Sequence, residues 1–368
     1  MEIEVLQKRL SKALNVVSRV AASTRAGLPI LSNVLLRAEE KQLVLIATNL
    51  ELATVEYVNA EAKKSGTITV PAKLLAEFVS NLPADEMVKL KANGDKLTIS
   101  AGKYKSTING ILADDFPELP EINEKKAVKF SIDPDTFKEA VGEVIIAASN
   151  DTTRPALTGV YFNTFDGALF IAATDGYRLA DRKFVNDVKS EVKAIIPTAA
   201  LREVLSSLSD DMETVEVLVT DDQIRFRMGE VEITSKLIDA SFPDYRQLIP
   251  KDSKATLVLN KAEITRMTKV AALFARESSG SVVCEAKADE GTFSIYAVAS
   301  EVGENSSDVE VDVPEDGKVV LNSRYLLDAL NATNEDKIRF SFSGKLAPIV
   351  IKNEKSEDYT HIIMPLKS

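Results

Sequence analysis

The sequence is poor in the residues that most chemistry needs. Its 368 residues include one cysteine, Cys284, and one histidine, His361. A lone cysteine excludes an intramolecular disulfide and any thiolate zinc cluster, and it fits a reducing compartment. A lone histidine argues against a histidine-based metal site and against any set of nucleophile, histidine and acid. No run of 18 apolar residues is present, so no membrane-spanning helix is expected, and the opening MEIEVLQKRL is too charged to read as a signal peptide. Neither a GxxxxGK[ST] nor a GxGxxG loop is available to cradle phosphates. Basic residues are also in deficit: 45 Lys plus Arg face 56 Asp plus Glu, a formal charge of −11, which argues against a uniformly basic nucleic-acid binder. The expectation is a soluble, cytoplasmic protein with no cofactor, no metal and no membrane partner.

What is present is enough hydrophobic residue, 45% against 27% charged, for a sizeable core, in a chain long enough for two or three domains. An internal repeat divides it. Pro29-Ile-Leu-Ser-Asn-Val34 reads against Pro155-Ala-Leu-Thr-Gly-Val160, and Ala47-Thr-Asn49 against Ala173-Thr-Asp175. Ile68-Thr-Val-Pro71 with Leu75 and Leu82 reads against Ala194-Ile-Ile-Pro197 with Leu201 and Leu208, and Phe116-Pro117 against Phe242-Pro243. Every pair is 126 residues apart, a regularity chance does not supply. A fainter third copy aligns Leu321–Leu330 with Val70–Val79. Three domains follow, at 1–124, 125–250 and 251–368.

Each repeat opens with an amphipathic helix: Leu10, Leu14, Val17 and Ala21 form the apolar stripe of the first, Phe137, Val141, Val144 and Ala148 of the second, and Ile264, Met267, Ala271 and Phe274 of the third. Strands follow, joined by turns such as Asp166-Gly167. A second short helix is opened by Pro71, Pro197 or Asn322, and alternating strands close the repeat. The fold class expected is α+β, three repeated domains each with two helices packed on antiparallel sheets.

Charge is segregated. Between Val5 and Ala38 lie Lys8, Arg9, Lys12, Arg19, Arg25 and Arg37 and no acid, whereas residues 301–316 hold seven acids and no base. On the first helix Lys8, Lys12, Asn15 and Arg19 recur at intervals of four, three and four, opposite the apolar stripe. This face suits a polyanion. The second helix departs from the pattern with Asp133, Asp135, Glu139 and Glu143; the third carries Arg266 and Lys269 away from its core side, and Leu273 with them. The remaining candidates read as structure: Cys284 as a buried thiol in an apolar strand, His361 as a solvent-facing strand residue, and the pairs Asp114-Asp115, Asp210-Asp211 and Asp221-Asp222 as turn residues. From the residues alone the readings are a cationic surface that faces a polyanion, a repeat-built scaffold whose basic stripe meets an acidic partner, and a carboxylate-pair hydrolase.

Ala173-Thr-Asp-Gly-Tyr-Arg-Leu-Ala180, Ser241-Phe-Pro-Asp-Tyr-Arg246, Pro29–Val34 and the terminal Ile362-Ile-Met-Pro-Leu366 carry a resemblance to the family of bacterial sliding clamps, the DNA polymerase III beta subunits, over the whole length. That resemblance implies a non-catalytic processivity subunit, cytoplasmic and nucleoid-associated, acting as a head-to-tail homodimer ring around duplex DNA. Two helices per repeat, at about 10 Å each, would set a ring of helices with an opening of roughly 28 Å. It implies sequence-independent DNA contact through Lys8, Lys12, Arg19, Arg25, Lys73 and Arg154. It implies a seam between the first repeat of one protomer and the third of its partner, with Ile108, Leu273 and Phe274 as candidates. It also implies a pocket for short partner peptides formed by Leu157, Thr174, Gly176, Tyr177, Arg178, Leu179, Pro243, Gln247, Leu248, Leu346, Pro348, Ile362, Ile363, Met364, Pro365 and Leu366. The implied partners are the DNA polymerase III catalytic subunit, a clamp loader, and other polymerases and repair proteins bearing clamp-binding peptides.

Overall fold

The computed structural model describes residues 1–22, 27–119, 121–188, 190–250, 252–276, 278–299, 303–344 and 346–366. The first repeat runs β1 (Glu2–Leu6), α1 (Gln7–Ala22), β2 (Asn33–Glu39), β3 (Gln42–Thr48), β4 (Leu52–Asn59), β5 (Glu61–Lys64), β6 (Gly66–Pro71), α2 (Ala72–Ser80), β7 (Met87–Asn93), β8 (Lys96–Ala101) and β9 (Tyr104–Asn109). The second runs β10 (Val128–Ile132), α3 (Pro134–Ile145), β11 (Gly159–Phe165), β12 (Ala168–Thr174), β13 (Arg178–Val185), β14 (Lys193–Pro197), α4 (Thr198–Ser207), β15 (Val215–Val219), β16 (Gln223–Met228) and β17 (Val231–Lys236). The third runs β18 (Ala255–Asn260), α5 (Lys261–Phe274), β19 (Ser281–Lys287), β20 (Thr292–Ala299), β21 (Gly303–Glu310), β22 (Gly317–Asn322), α6 (Ser323–Ala332), β23 (Lys337–Phe342), β24 (Ile349–Asn353) and β25 (Tyr359–Ile363). The order β-α-β-β-β-β-α-β-β-β thus recurs three times, the first copy adding β5.

The antiparallel strands assemble into four sheets: β5-β1-β7-β8-β9, β10-β15-β16-β17-β4-β3-β2-β6, β14-β11-β12-β13-β25-β24-β23-β18 and β21-β20-β19-β22. Each repeat supplies two half-sheets, and the eight-stranded sheets are where half-sheets of successive repeats fuse. The fusing pairs are β4 with β17 and β13 with β25, and their registers correspond: Ala53 faces Thr234 as Leu179 faces Ile362. Two compact units result, residues 1–134 with 199–237 and residues 135–198 with 238–368.

The helices form where the apolar spacing asked for them. Leu10, Leu14, Val17 and Ala21 of α1 are buried, and α1 packs on α2, β3 and β4. Ile264, Met267 and Ala271 of α5 join Leu326 and Leu330 of α6 in the core of the third repeat. Asn322 caps α6, its side-chain oxygen accepting from the Arg324 amide at 2.9 Å, a strong start signal. Two local expectations need correction. Ala148 lies beyond α3, which ends at Ile145. His361 is fully buried rather than solvent-facing: β25, the last strand in sequence, lies inside its sheet between β13 and β24, and His361 shares a 3.0 Å hydrogen bond with the Tyr359 hydroxyl. Burial holds the imidazole neutral, its pKa down at about 3. Cys284 is buried as expected, and burial pushes its thiol up to about 12.

Candidate functional sites

The basic stripe lies on α1. Lys8 and Lys12 are exposed, and Lys8 has no ion pair among the described residues. Lys12 stands 3.8 Å from Asp211, both well exposed, a pairing that solvent makes weak. Arg19 is a correction to the reading of a free cationic face. Its Nε donates to Glu203 Oε1 at 3.0 Å, and its Nη2 donates to the same oxygen at 2.6 Å and to Ser207 Oγ at 2.9 Å. Glu203, on α4, is buried, so this two-pronged pair ties the opening helix of the first repeat to the short helix of the second. Sequence could not show it, since the partners lie 184 residues apart. Nearby Glu56 is buried, and burial followed by the charge of Glu230 raises its carboxyl to about 8. Lys73 on α2 is exposed, 3.9 Å from Glu77. Arg154 precedes β11 and donates from Nε to Asp151 at 3.0 Å. Arg25 lies outside the described residues.

The second group gathers at one end of the sheet β14-β11-β12-β13-β25-β24-β23-β18. Because Thr174 pairs with Leu179, Arg178 with Ile363, and Ile363 with Ile349, the β12–β13 turn, the end of β25 and the start of β24 share that end. Gly159 pairs with Pro197 and follows Leu157, which brings Leu157 there too. The turn is tightly made: Asp175 Oδ1 accepts from the amides of Tyr177 and Arg178, Thr174 Oγ1 accepts from the Gly176 amide, and Gly176 takes φ +92, a region open to glycine. The Met364 amide donates to the Tyr177 carbonyl at 2.8 Å. Leu179 and Ile362 are buried with Ala172 and Tyr245, against Tyr161, Phe242 and Ile249. The 3-10 turn Arg246–Leu248 follows directly, carrying Gln247 and Leu248. Around this floor Tyr177, Leu248, Leu346 and Met364 are 61%, 56%, 80% and 40% exposed, a concentration of large apolar side chains in water of the kind that a partner can cover. Pro243 is exposed, while Pro348, Pro365 and Leu366 are half-buried.

Arg178, one of the expected pocket positions, is largely turned away from solvent. It is nearly covered, with Nε on Asp175 at 3.1 Å, Nη1 on Asp328 of α6 at 2.6 Å, and its guanidinium 4.5 Å from the Tyr325 ring centre. It therefore braces the turn bearing Gly176 and Tyr177 rather than facing solvent. Asp328 and Tyr325 are partners of Arg178 that sequence reading missed, since Asp328 is 150 residues from Arg178 and carries no local motif.

The seam candidates divide by exposure. Ile108 is buried on β9, the outermost strand of its sheet, paired with Leu97. Leu273 is 55% exposed on α5 beside Val270 at 42%, and Phe274 packs partly on the core. Among the described residues no group of three or more His, Cys, Asp or Glu side chains is placed to hold a metal ion, and no helix is long and apolar enough to cross a membrane. The carboxylate pairs sit in turns or a 3-10 segment, as expected.

Comparison with known proteins agrees with this architecture at every scale. The family models for the DNA polymerase III beta subunit match its N-terminal domain at residues 1–120, central domain at 131–244 and C-terminal domain at 246–367. The beta sliding clamp of Bacillus subtilis is 29% identical, with all of both chains covered, and that of Staphylococcus epidermidis is 29% identical over 95% of this chain and 94% of the relative. Among solved structures, the DNA polymerase sliding clamp of Bacillus subtilis superposes with a TM-score of 0.93 at 27% identity, covering 100% of this chain and 99% of that one. The sliding clamp of Pseudomonas aeruginosa bound to griselimycin gives 0.94 at 27%, with both chains fully covered. The chain belongs to the DNA polymerase III beta subunit family, the sliding clamps that serve as non-catalytic processivity factors.

Proposed function

We propose that two copies of this chain close head to tail into a ring that encircles duplex DNA and tethers the DNA polymerase III catalytic subunit. The observation that carries the reading is the fate of the sheet edges. At both fused junctions the last strand of one repeat pairs with the third strand after the opening helix of the preceding repeat: β17 with β4, β25 with β13. Two strands of these classes are left as outermost strands, β9 in the first repeat and β21 in the third. Pairing β9 with the partner's β21 applies the same rule a third time and leaves no such edge open. Charge favours it: Lys103 and Lys105 are exposed at β9, Glu304, Asp308 and Glu310 along β21. Leu273 and Val270 would be covered at that seam.

In this reading the domains are 1–124, 125–250 and 251–368, and Lys8, Lys12, Lys73 and Arg154 attract phosphates without reading bases. Weak surface pairs such as Lys12 with Asp211 exchange readily for phosphate, which keeps the ring mobile on its track. The pocket around Leu179, Ile362, Leu248 and Met364 takes an extended partner peptide by apolar anchors, with Arg178 fixing the turn. Tethering makes each rebinding of polymerase intramolecular, so release from the primer end does not end synthesis. Other polymerases and repair proteins use the same pocket, a separate clamp loader opens the ring, and the protein works in the cytoplasm at the nucleoid. Light scattering tests closure: a mass twice the chain's 40.1 kDa supports the ring, and a monomer at working concentration contradicts it.

A further inference from the structure

The face of the sheet at the first fused junction holds a groove of about 650 Å³, within the size range of ligand sites. Its walls include Ala53, Pro117 and Glu121. These stand one repeat length before Leu179, Pro243 and Gln247 of the pocket described above. The groove is thus the first junction's counterpart of that pocket, built on the same backbone register, with smaller side chains at four positions and a larger one at Ile46, which stands where Ala172 does. Ala53 faces Thr234 where Leu179 faces Ile362. Leu35 and Leu119 stand where Tyr161 and Tyr245 fill the second junction. Each replacement removes volume from the same patch, so space opens above Leu35, Ile46 and Val55 and beside Phe116.

The charges at the rim name the occupant. Its two arginines are already answered: Arg37 Nε donates to Glu39 at 2.9 Å, and Arg225 Nε donates to Thr234 Oγ1 at 3.1 Å with Glu232 at 3.9 Å. Glu118 and Glu121 are exposed and have no ion pair among the described residues. Tyr57 also lines the groove; burial, then the charge of Glu232, raises its pKa, so its hydroxyl stays protonated.

We propose that this groove is a second peptide-docking site, taking an extended segment whose aliphatic anchors lie on Leu35, Ile46 and Val55 and whose Lys or Arg side chain reaches Glu118 and Glu121. Each protomer then offers two sites of different charge preference, so a closed ring of two protomers carries four. The inference rests on the repeat and the groove, not on what the pocket at Tyr177 binds.

The test uses the full chain with labelled Ile, Leu and Val methyl groups and two synthetic probes, a Leu-Leu-Phe peptide flanked by two lysines and the same peptide flanked by two glutamates. The lysine probe is expected to shift the methyls of Leu35, Ile46 and Val55 saturably, binding roughly tenfold tighter than the glutamate probe. Refilling the groove with the second junction's residues, Ala53→Leu with Thr234→Ile, is expected to weaken it roughly tenfold. Glu121→Lys, a surface change that leaves the core alone, is expected to reverse the preference between probes. Absent shifts, equal response to both probes, or binding indifferent to Ala53→Leu/Thr234→Ile and Glu121→Lys would overturn the proposal. Shifts of Leu35, Ile46 and Val55 that grow with protein concentration alone would assign the groove to a second copy and overturn it too. Methyls of Leu248, Ile362 and Ile363 report the other pocket independently.

Discussion

The two fused junctions share a backbone and differ in what fills it. At the second junction Leu179, Ile362, Tyr161, Phe242 and Tyr245 close the sheet face, Tyr161 stacking on Phe242 at 4.8 Å between ring centres. The Tyr245 hydroxyl donates to Asp181 Oδ1 at 2.6 Å, satisfying a buried carboxyl that burial pushes up. At the first junction Val55 stands where Asp181 does and Leu119 where Tyr245 does, and a groove remains. Across the sheet, the first junction uses the Arg19–Glu203 pair, whereas the second buries Glu143 with Arg182 at 3.4 Å, Asn353, Tyr359 and His361. Hydrogen-bond register reproduces the scaffold, because it depends on backbone alone; the sites depend on side-chain volume and charge, which the copies do not share.

The largest effect is expected where the junction rule is applied a third time. Leu273→Asp with Asp308→Lys changes two exposed positions, so the fold should survive with its unfolding midpoint little moved while the dimer separates into monomers by light scattering. A dimer undiminished by both changes would break the analogy between the seam and the internal junctions.

Next is the contrast at Tyr245. Tyr245→Phe strands the buried Asp181 carboxyl and should cost about 1–3 kcal/mol in denaturant unfolding. Leu119→Tyr, the matching change at the open junction, should stay within about 1 kcal/mol, since the groove has room. Equal costs would mean that the two sheet faces are packed alike.

The buried titrating groups sharpen the comparison on the other face. His361, lowered to about 3, gives stability that is complete above pH 6.5 and is lost as pH falls through that window. Glu143 is raised to about 7, first by burial, so its contribution is complete below pH 4.5 and is lost as pH rises through 7. Between these limits the two oppose each other in the second unit. Thermal unfolding should be nearly level from pH 4.5 to 6.5, and His361→Phe should uncover a rise in stability toward acid of up to about 1.4 kcal/mol per pH unit. In the first unit Glu56, raised to about 8, acts without a histidine, so Glu56→Gln should flatten a loss between pH 4.5 and 8.

The smallest effect separates two cations on one helix. Lys8→Ala should lower the salt dependence of DNA binding by about one phosphate contact, whereas Arg19→Ala, whose guanidinium is already held by Glu203, should leave that slope unchanged. Equal slopes for the two variants would return Arg19 to the DNA-facing set.

The repeat, the six helices and the alternation of helix and strand within each repeat were legible because apolar spacing and turn residues are local signals: Leu10, Leu14 and Val17 state a buried face without reference to the rest of the chain. The fused sheets were not, since nothing near Tyr359–Ile363 announces that β13 lies beside it. That is why His361 read as a surface residue. Long-range pairs such as Arg19–Glu203 and Arg178–Asp328 were hidden for the same reason. The pocket residues were named through family likeness at Ala173–Ala180 and Ile362–Leu366, while their convergence on one sheet end follows only from register.

The central claim is topological, and its most direct measurement is retention of the protein on nicked circular DNA, loaded by a clamp loader and followed through gel filtration before and after a single cut. The account predicts co-elution with the circle and release upon linearisation at the same salt. Equal retention on circular and cut DNA would show surface binding rather than encirclement, and would contradict the ring closed through β9 and β21.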